Sequence, residues 1–353
     1  MLRRRIPDTK IYSRLFSHYR HSMNVSDGEF AHVEGGIEQN VRLDGRSRTE
    51  VRGISIQTGI IKAAYGSSHV LLGPEQGEGN RTEVLAAVYG YVHPPDEGSY
   101  WFHVDPTPLT ASQYGPIDNI DCTKESFASK LETQLTAIYG ASRPLSKVTH
   151  PEAASIFLDN HFQKAGETCS NVEISPVSPV PVLPLDYPVG SKTSIDRSSL
   201  NIAEGLSWGI KIEVLVIGGS GGNIILAATN AVNAALRDTT LPEVEMGMEG
   251  SSEIKLLPER ETRIQNTERL PLASLVLSTG NFFLIDPSSI EEQIPHSKGY
   301  IVAIEPCGRI VHFASVALAR NSSTVSVPNM LCILREAPVL LKVIHEMFSQ
   351  ALA

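Results

Sequence analysis

From Trp208 to Asp238 the chain runs WGIKIEVLVI, then the turn GGSGGN at 218–223, then IILAATNAVNAALRD. A glycine turn between a strand and a helix start suits phosphate chemistry, because free backbone N–H groups and the helix dipole converge there. Two nucleotide motifs are excluded by spacing. The GxGxxG register from Gly219 meets Ile224 where a glycine is required, and no Lys-Ser/Thr pair follows to make a P-loop. The same residues suit a structural turn in which glycine supplies positive φ.

Other residues with chemical potential have bland readings beside the sharp ones. His93, His103, His150, His161, His296 and His312 are isolated, with no GxSxG elbow nearby, and read as core or surface residues rather than triad members. Glu291 and Glu292 follow DPSS, so a helix start capped by Ser288 or Ser289 explains them without catalysis. Arg42, Arg46, Arg48 and Arg52 are placed to meet RNA phosphates, yet they alternate with Asp44 and Glu50, which favours internal salt bridges equally. Arg42, Arg46, Lys124 and Lys130 are the candidate RNA contacts. Cys122, Cys169, Cys307 and Cys332 show no metal-ligand spacing, and no cofactor is expected.

These residues need a scaffold, and the hydrophobic pattern supplies one. Ser26 with Glu29 three residues on has the capping-box spacing, so a short helix is predicted over 26–40. Beyond Val51 the segments VRGISIQTGIIKAAYGSSHVLLG, TEVLAAVYGYV and YWFHVDP alternate as a strand meander. Phe127, Leu131, Leu135 and Ile138 make TKESFASKLETQLTAIY an amphipathic helix. Period is then lost over about 141–193, where Pro176, Pro179, Pro181, Pro184 and Pro188 point to a surface insertion. The unit from Trp208 reads as strand, turn and a helix ending at LPEVE. IKLL, LPLASLVLS, NFFLIDP and GYIVAIEP read as further strands before a long closing helix from Asn329. Two sheet-plus-helix units predict an α+β fold.

Composition narrows the classes of partner. The chain has 353 residues, 41% hydrophobic and 20% charged, which suits a globular protein. A net charge of -9 disfavours free-standing nucleic-acid binding, so any RNA would have to be met through a local patch or with partners. No run approaches the roughly 18 apolar residues of a bilayer span, so no membrane partner is expected, and so few cysteines suggest a reducing compartment. Residues 1–22 carry Arg3, Arg4, Arg5, Lys10, Arg14 and Arg20 against Asp8, the composition of a transit peptide. They suit equally a basic tail or an extension upstream of Met23.

NVRLDGRSRTEVR at 40–52, GISIQTGIIKAAYGSSHVLLG and RTEVLAAVYGYV resemble the opening of the ribonuclease PH family in its exosome branch. IDRSSLNIAEGLSWGIKIEVLVI, GGNIILAATNAVNAAL and LPLASLVLSTGNFFLIDPSSIEEQ resemble the same branch further on, and SDGEFAHVEGGIEQNVRLDGR its leading helix. The resemblance implies a ribonuclease PH-like fold (ribosomal protein S5 domain 2-like). The division it suggests is an extension and leading helix over 1–36, a first domain over 37–245 holding the proline-rich insertion, and a second over 246–353. It implies one position in a ring of six related subunits, RNA-binding cap proteins on one face, RNA through the central channel, and residence in nucleus, nucleolus and cytoplasm.

Active relatives clamp two mutually repelling phosphates with arginines, which neutralise them bidentately. This chain has no arginine between Arg81 and Arg143, and Lys124 and Lys130 on the helix there lack the planar fork. In the glycine turn the expected arginine position reads Asn223-Ile224; Glu249 stands where a first aspartate is expected and Lys255 where a second is. Each such contact is typically worth about 10²-fold or more. A non-catalytic ring subunit supporting RNA processing by partner nucleases is therefore expected, the alternative being an active phosphate-dependent 3′-to-5′ exoribonuclease.

Overall fold

A computed structural model describes residues 25–74, 81–93, 99–108, 110, 127–141, 195, 197–203, 206–246, 254–279, 282–295, 297–316 and 327–352. Residues 1–22, most of the proline-rich insertion, Lys124 and Glu249 lie outside them.

Helix α1 (Asp27–Glu38) starts with the predicted capping box: Glu29 N–H donates to Ser26 Oγ, while the Glu29 carboxylate accepts from Ser26 N–H at 2.7 Å. The meander forms strands β1 (Ile54–Thr58), β2 (Gly66–Leu72), β3 (Thr82–His93) and β4 (Ser99–Pro106), followed by helix α2 (Phe127–Tyr139). A 3-10 turn, Arg197–Leu200, precedes β5 (Asn201–Ala203) and β6 (Leu206–Gly218). Helix α3 (Ile224–Asp238) leads to β7 (Thr240–Met246) and β8 (Ile254–Arg263). The remaining elements are β9 (Leu272–Thr279), β10 (Phe282–Ile285), β11 (Lys298–Ile304), β12 (Ile310–Val316) and helix α4 (Val327–Leu352).

The first sheet runs β1-β2-β3-β6-β4 with β5 paired to β6; β4 is parallel to β6 and the other pairs are antiparallel. The second runs β10-β9-β11-β12, all antiparallel. Between the sheets lies α3, packed on β2 and β3 on one side and on β9 on the other. Its sequence explains this position: every residue from Ile224 to Leu236 is buried, and its alanines let both sheets approach. On β2, Gly66 is needed, because a Cβ there would stand 2.5 Å from Ala235 O. Buried polar side chains of α3 find carbonyl partners: Thr229 Oγ1 donates to Ile225 O at 3.0 Å and Asn233 Nδ2 to Pro271 O at 3.0 Å. One buried cluster extends from Val70 on β2 to Phe348 on α4.

Two segments differ from the sequence expectation. LPEVE, read as the end of α3, is strand β7 paired with β8; Thr239 leaves helical space at ψ 124°, and Pro242 sits at a register shift, where no ladder donor is needed. IVHFASV, left unassigned, is β12, returned onto β11 by a turn in which Gly308 has φ +87°.

Candidate functional site

The glycine turn is tied to the start of β3. Gly221 N–H donates to Arg81 O at 2.9 Å, Ser220 Oγ donates to the same carbonyl at 3.1 Å, and Thr82 Oγ1 donates to Gly222 O at 2.5 Å. Gly222 has φ +77°, and a Cβ there would stand 2.6 Å from Ser289 N, so only glycine fits between turn and β10–β11 loop. Asn223 follows, also left-handed at φ 47°, and Ile224 opens α3.

Asn223 is buried and bonded at every polar atom. Its N–H donates to Glu292 Oε1 at 2.6 Å, its Nδ2 to Asp286 Oδ1 at 2.9 Å and Ser274 Oγ at 3.1 Å, and its Oδ1 accepts from Leu275 N–H at 3.0 Å. The backbone donor at the helix start, where an incoming anion would bind, is held by a carboxyl group of the chain itself.

Asp286, fully buried at φ 53°, is the centre of the array. It accepts from Arg52 N–H at 2.9 Å, Arg52 Nε at 2.9 Å, Arg52 Nη2 at 2.6 Å and Arg46 Nη1 at 2.9 Å. Burial by itself would raise this carboxyl, but Arg52 and Arg46 override it and hold it well below the usual carboxylate range. Arg52 also donates to Gly221 O at 2.7 Å, so it locks the glycine turn to Asp286. Arg42 grips Glu291 bidentately, at 2.8 Å from Nε and 2.5 Å from Nη2, and donates to Asp286 O at 2.8 Å. Glu291 accepts from Ser288 N–H at 2.7 Å. Glu292 differs: burial pushes its carboxyl up to about 7, opposed by the Asn223 N–H and Arg52 and reinforced by the charges of Asp286 and Glu291.

These positions correct the expectation for Arg42 and Arg46. The Arg42 side chain is 0% exposed and that of Arg46 12%, the latter also paired to Asp44 at 2.7 Å, so neither guanidinium is presented to a phosphate. Glu291 and Glu292 open a short 3-10 turn, Glu291–Gln293, as expected, but Ile290 rather than a serine occupies the cap position, and both acids also serve contacts far away in the chain. Lys130 is exposed on α2, away from the array, and Lys255 lies on β8 opposite Glu245. Asp286 carried no signal of its own in the reading of the sequence. The available clue was an acid-rich DPSSIEE segment with no nearby base, following a strand as apolar as FFLI, which demands distant cations if it is buried.

A family model described as "3' exoribonuclease family, domain 1" (RNase PH) matches residues 50–242, more than half of the chain. The chain belongs to the ribonuclease PH family. Among curated relatives, the exosome complex component RRP45A of Arabidopsis thaliana is 24% identical over 330 residues, 86% of this chain and 85% of that protein. The exosome complex component Rrp42 of Sulfurisphaera tokodaii is 27% identical over 292 residues, 81% of this chain and 84% of its own. A solved archaeal structure, the Archaeoglobus fulgidus exosome with RNA bound to the active site, aligns with a TM-score of 0.58 at 18% identity, over 91% of this chain and 98% of that one. It shares the fold. In this chain Arg42, Arg46 and Arg52 are each committed to an acid, and half-exposed Arg81 pairs with Glu83 at 3.3 Å. Among the described residues no group of His, Cys, Asp and Glu is arranged to hold a metal. No helix among them is long and apolar enough to cross a membrane.

Proposed function

We propose that this ribonuclease PH-family chain is a non-catalytic structural subunit of an exosome core ring, supporting 3′-to-5′ RNA processing and degradation by partner nucleases. The observation that carries the reading is the Glu292 carboxyl on the Asn223 amide, 2.6 Å away, within an array in which the nearby arginines are spent on Asp286 and Glu291. Phosphorolysis needs an open cationic cleft for two anions, because attacking and scissile phosphates repel each other. Here the helix start is filled by an acid, and the degenerate positions Asn223 and Ile224 bring neither a cation nor an exposed donor. The likeness to exosome components of Arabidopsis thaliana and Sulfurisphaera tokodaii over most of the chain supports the ring assignment.

In this reading the chain takes one of six ring positions, contacts ribonuclease PH-like neighbours and RNA-binding caps, and lines part of a channel through which RNA passes in nucleus, nucleolus and cytoplasm. Affinity purification of the tagged protein at moderate salt tests it. Related ring subunits and caps are expected to co-purify; recovery of the chain alone or as a homodimer contradicts ring membership.

A further inference from the structure

Beside α1, a depression of about 430 Å³ lies between the helix and the extended segment that follows it. Gly35 and Gly36 form part of its wall without side chains. Val41 N–H donates to Gly36 O at 2.9 Å, and a Cβ on Gly36 would stand 2.6 Å from Val41 O, so the glycine lets the segment lie directly against the helix. Arg42 turns inward to Glu291 and its two neighbours turn outward: Val41 is 57% exposed and Leu43 55%. Two adjacent aliphatic side chains thus face solvent around a pre-formed hollow, on a backbone pinned by a buried ion pair.

The surrounding charge selects the occupant. Helix α1 carries Asp27, Glu29, Glu34 and Glu38 and no lysine or arginine, and Asp44 follows Leu43. On the helix, Glu29 and Glu38 flank the face formed by His32, Gly35 and Gly36. Of the nearby guanidiniums, Arg42 and Arg46 are neutralised by Glu291, Asp286 and Asp44, and Arg48 is turned to Asn40 and the face of Phe282. Such a rim repels phosphates, which disfavours RNA, and attracts ammonium and guanidinium groups. We propose that this groove docks a basic peptide segment of a partner protein, with an aliphatic side chain seated against Val41 and Leu43 and lysines or arginines beside the acids of α1. The site is separate from the glycine turn and does not depend on whether that turn is catalytic.

The test is fluorescence anisotropy of the full chain with a labelled peptide alternating lysine or arginine with leucine, beside analogues carrying glutamate for the bases or serine for the leucines. The basic leucine peptide is expected to bind in a salt-sensitive manner, and both analogues to bind weakly. Val41→Ser with Leu43→Ser is expected to weaken binding by about tenfold or more, the effect of withdrawing two aliphatic contacts. Glu38→Gln, at the exposed edge of that face, is expected to weaken it about threefold and flatten the salt dependence, as exposed pairs do. Val339→Ser with Val343→Ser, on an exposed part of α4, is the control and leaves binding unchanged. These side chains are exposed, so circular dichroism is expected to be unchanged in every variant. Absence of binding, insensitivity to the Val41/Leu43 variant, or preference for the acidic analogue would overturn the proposal. So would displacement of the probe by a peptide of residues 1–24 of this chain, or by oligouridylate, which would assign the groove to a different occupant.

Discussion

Asp286→Asn is the substitution that tests the buried array most sharply. Asparagine keeps the side-chain volume and tolerates the left-handed backbone at φ 53°, so the change isolates charge from shape. The native carboxylate accepts from Arg52 N, Nε and Nη2, from Arg46 Nη1 and from Asn223 Nδ2, all between 2.6 and 2.9 Å. Asparagine retains one acceptor and turns an NH₂ toward guanidinium donors, leaving Arg52 buried with its counterion gone. Breaking a buried pair in this way costs about 3–5 kcal/mol, a large part of the roughly 5–15 kcal/mol that holds a domain folded. In urea, with a slope of about 3 kcal/mol/M, the unfolding midpoint should fall by about 1–1.7 M by far-UV circular dichroism. The carboxyl is held below its usual range, so its stabilisation is complete above about pH 4 and is lost as pH falls toward the folded-state value; Asp286→Asn should lack that loss. Adding Arg52→Met should recover about 1–3 kcal/mol, because the stranded cation is gone. A midpoint within about 0.3 M of the native protein, which is about 1 kcal/mol at that slope, would refute the central place given to Asp286.

Further predictions concern its neighbours. The Glu292 carboxyl, raised by burial from its ordinary 4.5 to about 7, favours the folded state when protonated and loses that contribution as pH rises through 7; Glu292→Gln should raise stability at pH 8 by up to about 3 kcal/mol and leave it nearly unchanged near pH 4, read from urea titrations at both pH values. Gly222→Ala, at φ +77° and against Ser289 N, should destabilise by about 2 kcal/mol or more by thermal denaturation. Tyr139→Phe removes the hydroxyl that donates to Asn233 Oδ1 at 2.7 Å across α2 and α3 and should cost about 1–3 kcal/mol in chemical denaturation.

Much of the fold was legible because its elements carry local signals. The limits of α3 follow from Gly222 and Asn223 in left-handed conformations at one end and Thr239 turning to extended backbone at the other. Strand β4 shows its alternation directly, with Tyr100, Phe102 and Val104 buried and the residues between them more exposed. LPEVE was misread because β7 follows the helix without a loop, so helical and strand periods abut. The array around Asp286 was less legible for a different reason. Arg42 and Glu291 are 249 residues apart, and Arg52 and Asp286 are 234 apart, so the alternation of Arg42, Arg46, Arg48 and Arg52 with Asp44 and Glu50 gave no hint which acids would be buried with them. Resemblance pointed to Asn223-Ile224 as a position lacking its arginine; only the three-dimensional arrangement shows the Glu292 carboxyl on the Asn223 amide.

The most direct measurement of the central claim is incubation of the purified chain with single-stranded RNA and inorganic phosphate, with chromatographic detection of nucleoside diphosphates. Under the proposed function an intact substrate and no diphosphate release are predicted, because the Asn223 amide at the start of α3 is held by Glu292 and Arg52 is committed to Asp286. Phosphate-dependent release of nucleoside diphosphates that disappears in an Asn223→Ala variant would contradict the account.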